Sequence, residues 1–75
     1  MEEAILEVVR EQQGDDGEIT LRPVELVDLI SKAFPHLKPT PGGVAHLVRI
    51  MARDGKLKLT YAEGGIDGVM TMRVP

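Results

Sequence analysis

Apolar residues at Ile5, Leu6, Val8 and Val9 recur at spacings of three and four in a polar stretch, predicting an amphipathic helix over about 2–13. Glu2 and Glu3 favour its first turn, and Gly14 is placed to close it. Glu18-Ile19-Thr20-Leu21 alternates polar with apolar, which predicts a short strand over about 18–21 with Ile19 and Leu21 inward. Pro23 fits the first position of a second helix over about 23–34, with Val24, Leu26, Val27, Ile30 and Phe34 available for burial. Thr40-Pro41 is the clearest start signal in the chain, a capping hydroxyl followed by proline, and it opens a third helix over about 41–54 that Gly55 closes. At about 100° per residue, Val44, Leu47, Val48 and Met51 form its apolar face, while Gly42, His46, Arg49 and Arg53 fall on the opposite side.

Two alternating segments complete the pattern. Residues of about 56–61 place Leu57, Leu59 and Tyr61 on one side, and those of about 69–74 place Met70, Met72 and Val74 on one side. The stretch Ala62 to Gly68 between them holds three glycines and reads as a hairpin connection. The expected architecture is a single α+β domain over residues 1–75, in the order α-β-α-α-β-β, with a small antiparallel sheet. An isolated hairpin is marginal in water, so the first strand is expected to join it and the helices to cover it.

This order, together with Thr40-Pro41-Gly42-Gly43 at the start of the third helix and Arg53-Asp54-Gly55-Lys56-Leu57 at its end, resembles the winged-helix superfamily of helix-turn-helix domains. The likeness spans essentially the whole chain. It implies a DNA-binding protein, a transcriptional or replication-associated regulator, whose third helix enters the major groove with its N-terminal residues nearest the bases. The hairpin then corresponds to the wing. A domain this small covers few base pairs, so a homodimer, formed through the first helix, would extend the site.

Charge sharpens that expectation. The chain carries a net charge of −3, but residues 1–37 hold nine acids and three bases, and residues 38–75 hold three acids and six bases. Such asymmetry points to an interacting face. The candidate DNA-binding residues are Lys38, Thr40, Gly42, Gly43, His46, Arg49, Arg53, Lys56, Lys58 and Arg73. Gly42 and Gly43 admit either close backbone approach to a phosphate or tight packing within the fold. His46 is placed to meet a base edge, and Arg49 a guanine edge or a phosphate. Arg53 suits a phosphate or the carbonyls at its own helix end. Alternation would put Lys56, Lys58 and Arg73 together on the outside of the hairpin, where they serve either phosphate contact or protection of a strand edge. Ile50, on the flank of the third helix, is expected under the wing.

Other function classes find less support. The chain has no cysteine, so neither a disulfide nor a thiolate metal site can form. Ser31 is the single serine, His36 and His46 stand ten residues apart, and no nucleophile-base-orienter set is visible, so no enzyme, metal site or cofactor is expected. Asp15-Asp16-Gly17-Glu18 lacks the spaced oxygens of a calcium loop and reads as a solvated turn. The first residues do not resemble a secretory signal and no apolar run approaches the ~20 residues of a membrane span, so a cytoplasmic location without a membrane partner is expected. The alternative to DNA is a protein partner, with the domain acting as an adaptor in a larger assembly through His46, Ile50 and the wing tip.

Overall fold

A computed structural model describes residues 1–14, 17–65 and 67–75. Three helices and three strands follow in the order α1 (Glu2–Gln12), β1 (Ile19–Leu21), α2 (Pro23–Ala33), α3 (Pro41–Arg53), β2 (Lys58–Ala62) and β3 (Met70–Arg73). The sheet is antiparallel with β3 between β1 and β2. This α+β arrangement has the expected element order and is consistent with winged-helix topology.

Local chemistry sets the helix ends. In α1, Glu2 and Glu3 occupy the first turn and Arg10 the last, each complementing the helix dipole, and Gly14 follows the cap residue Gln13 with φ +70°. Arg22 precedes α2 in an extended conformation, and its N–H donates to the Glu25 carboxylate at 3.0 Å, while Pro23 needs no partner for the N–H it lacks. α3 opens on Thr40, whose hydroxyl accepts from the Gly43 N–H at 3.1 Å. It closes on Gly55, with φ +81°: the Gly55 N–H donates to Ala52 and the Lys56 N–H to Met51, the paired bonds of a Schellman end.

The core is aliphatic and thioether. Ile5 and Val9 of α1, Leu26 and Ile30 of α2, and Val44, Val48 and Met51 of α3 meet Met70 and Met72 of β3, all essentially inaccessible to water. Leu57, Val74 and Ala4 extend this cluster, and Leu59 of β2 packs on it half-buried. The sheet therefore lays one face on the helices and turns the other away from them. Gln13, just past α1, ties down the far end of β3: the Val74 N–H donates to its Oε1 at 2.9 Å, and its Nε2 donates to the Val74 carbonyl at 3.5 Å.

Three expectations are corrected here. Val24 is 45% exposed because it lies about 160° around α2 from Leu26, facing solvent. β2 starts at Lys58 instead of residue 56, because Lys56 belongs to the turn that ends α3. Tyr61 does not follow Leu59 into the core and is 52% exposed. Leu59 pairs with Met72 but Tyr61 pairs with Thr71, so Thr60 is an extra residue, a bulge that reverses the sides of all that follows. Ala62 takes the inward position opposite Met70. Ile50 and Leu47 are half-buried. Asp15 and Asp16 of the acidic turn, and Ile66 of the hairpin connection, lie outside the described residues.

Candidate functional site

α3 presents a stripe of exposed residues, Gly42, His46, Arg49 and Arg53, on the side opposite its buried Val44, Val48 and Met51. The helix contains no carboxylate, whereas α1 holds Glu2, Glu3, Glu7 and Glu11 and α2 holds Glu25 and Asp28. Its positive N-terminal end is open to solvent, since Gly42 and Gly43 are both exposed.

The two glycines differ. A Cβ on Gly43 would stand 2.9 Å from Thr40 Oγ1, so the capping hydroxyl accounts for the absence of a side chain there. A Cβ on Gly42 would meet nothing within 4 Å, and its φ is not positive. Gly42 thus carries the helix-propensity penalty of glycine, up to ~1 kcal/mol against alanine, with no compensating contact within the protein. Tight packing does not explain it. Beside this end, Lys38, Pro39, Thr40, Gly43, Val44, Leu47 and Met1 line a cleft of about 210 Å³.

The cations expected on one surface are divided by the structure among several settings. Arg49 reaches the hairpin, where its Nη2 donates to the Glu63 carbonyl at 3.3 Å. Arg53 lies beside Asp54, with Nε 3.4 Å from Oδ1, both well exposed. Lys56 is drawn to α1, its Nζ 2.6 Å from Glu2 Oε1. That hydrogen bond, and then the charge of the same carboxylate, raise the Lys56 ammonium above its ordinary pKa of 10.5. Lys58 and Arg73 face each other across the β2–β3 ladder on the outer side of the sheet. Lys38 and His46 are exposed at the surface.

Glu63, which residue patterns did not single out, organises the mouth of the hairpin. Its N–H donates to the Val69 carbonyl at 3.0 Å, its carboxylate accepts from the Val69 N–H at 3.1 Å, and its carbonyl accepts from Arg49. Gly68 is buried against it: a Cβ there would lie 2.7 Å from the Glu63 Cβ and from the Gly64 carbonyl oxygen. The loop is thereby joined to α3 through one arginine. Gln13 was missed likewise, since neither glutamine nor glutamate announces which backbone group its side chain will meet. The glycine at position 68 was the available hint of a close approach.

Among the described residues no group of three or more histidine, aspartate or glutamate side chains is arranged to hold a metal ion. No helix is long and apolar enough to cross a membrane. No protein-family model matches the chain, and comparison with curated proteins and with solved structures finds no match.

Proposed function

We propose that the chain is a small winged-helix protein that binds duplex DNA through α3, acting as a transcriptional or replication-associated regulator. The observation that carries this reading is the exposed α3 stripe: two arginines and a histidine, no carboxylate on the helix, and an N-terminal turn kept bare by Gly42 without a packing reason. A bare first turn lets backbone N–H groups and the positive helix end approach a phosphate. Arg53 and Arg49 follow along the stripe as phosphate ligands, with His46 between them and the bare turn facing a base edge. The Arg49 contact to Glu63 sets the wing beside the helix. A homodimer through α1 would extend the site; the outer ridge of that helix carries Glu3, Glu7 and Glu11 beside Arg10.

Titration with generic duplex DNA at several salt concentrations tests the proposal. Each neutralised phosphate adds about −0.9 to the slope of log affinity against log salt, so Arg53→Gln is expected to weaken binding and flatten the slope by about one unit. Absence of binding at low salt defeats the DNA reading. One observation favours the adaptor alternative: the hairpin loop that meets Arg49 through the Glu63 carbonyl carries two acidic residues, exposed Glu63 and Asp67, which would repel a duplex but not a basic protein surface.

A further inference from the structure

The outer face of the sheet has a constellation of its own. Lys58 and Arg73 are direct partners in the antiparallel ladder, an arrangement that holds Cβ atoms about 4.5–5.5 Å apart and makes like charges repel. Both are exposed, and neither forms a salt bridge among the described residues. The only carboxylate bonded to this face is that of Glu18, which accepts from the Thr60 hydroxyl at 2.9 Å, leaving cations in excess among the described residues. Protection of a sheet edge accounts for a lysine on β2 but not for an arginine on β3, which is the central strand.

The same face displays the protein's single tyrosine. The bulge at Thr60 turns Tyr61 out of the position that alternation would have buried and sets it opposite Thr71. Bulges re-aim side chains in this way at working sites. Tyr61 stands three residues along the strand from Lys58, about 10 Å at ordinary strand rise. Thr20 and Thr71 share a hydrogen bond of 2.8 Å beside it, so the neighbouring surface is polar.

We propose that this outer sheet face binds single-stranded nucleic acid, with a base stacked on Tyr61 and neighbouring phosphates held by Lys58 and Arg73. Stacking platforms flanked by cations are the chemistry of single-strand recognition, and every base offers a π-face. An acidic peptide would use the cations but give the ring no partner. The face is built from β2 and β3 and the stripe from α3, so different variants test this proposal and duplex binding.

With one tyrosine and no tryptophan, the intrinsic fluorescence of the whole chain reports Tyr61 alone. Oligothymidylate of about ten nucleotides, within the usual site sizes, is expected to quench that emission saturably. Two phosphate contacts give a salt slope of about −1.4 for a single strand. The Lys58→Glu/Arg73→Glu variant, its fold checked by circular dichroism, is expected to abolish the quenching. Tyr61→Leu, followed by anisotropy of a labelled oligonucleotide, loses affinity by about ten-fold, whereas Lys32→Gln on α2, outside both proposed surfaces, changes nothing. Unquenched emission at low salt overturns the proposal, as does quenching that survives the double charge reversal. Poly-glutamate that displaces the labelled strand as well as unlabelled oligothymidylate overturns it in favour of an acidic protein partner.

Discussion

Adjacent glycines at the start of α3 have opposite reasons for being glycine. Gly43 is bare because the Thr40 hydroxyl occupies the space of its Cβ, and Gly42 is bare although its surroundings are open. Gly43→Ala is therefore expected to displace the cap and cost about as much as Thr40→Ala, ~1 kcal/mol in urea unfolding. Gly42→Ala is expected to stabilise the domain by up to ~1 kcal/mol. If that turn approaches phosphate, the same substitution weakens duplex affinity. A stabilised Gly42→Ala protein with unchanged DNA affinity would remove the bare turn from the proposed interface.

At the scale of elements, the Lys56–Glu2 contact joins the end of α3 to the start of α1. The ammonium is held above 10.5 in the folded chain, so folding binds its proton more tightly than the unfolded chain does. Its contribution is complete below the unfolded value and is lost as pH rises through the higher folded one. Lys56→Met is accordingly expected to lower the melting temperature slightly at neutral pH and low salt, and to converge with the parent protein as pH rises through the raised folded value. Equal melting temperatures at neutral pH would show that solvent screening cancels the contact. Much of this level was legible beforehand. Thr40-Pro41 and Gly55 bracket α3 by chemistry local to each end, so its limits came within a residue. β2 was not legible in the same way. Its start yields to the turn that closes α3, and its alternation breaks at a bulge defined only by pairing with a strand ten residues further on. Tyr61 and Lys56 were misplaced for those two reasons. The division of the cations is likewise set by tertiary packing, which residue spacing does not encode.

As a whole the molecule measures 28 × 26 × 20 Å with a radius of gyration of 10.9 Å, near the ~11 Å expected for its length. A domain of this size has little stability in reserve, rarely more than ~3–5 kcal/mol from a single core. Met72 lies on the central strand, paired with Ile19 on one side and Leu59 on the other, and has no exposed surface. Met72→Ala removes a buried chain at a cost of ~2–5 kcal/mol, comparable to the entire reserve. The variant is expected to be largely unfolded at 25 °C by circular dichroism. A cooperative melt within a few degrees of the parent would show that the helices hold the core without the sheet.

Thioether sulfur also makes that core a clock. Met51, Met70 and Met72 are sealed, whereas Met1 is 42% exposed. Peroxide converts accessible methionine to the sulfoxide, a polar group that a packed interior rejects. One oxygen should add quickly and three more only while the interior is open, with each late addition hindering reclosure. Mass spectrometry of a peroxide time course would thus read the open population of this domain without a label, and oxidative stress would retire the protein in a single cooperative step.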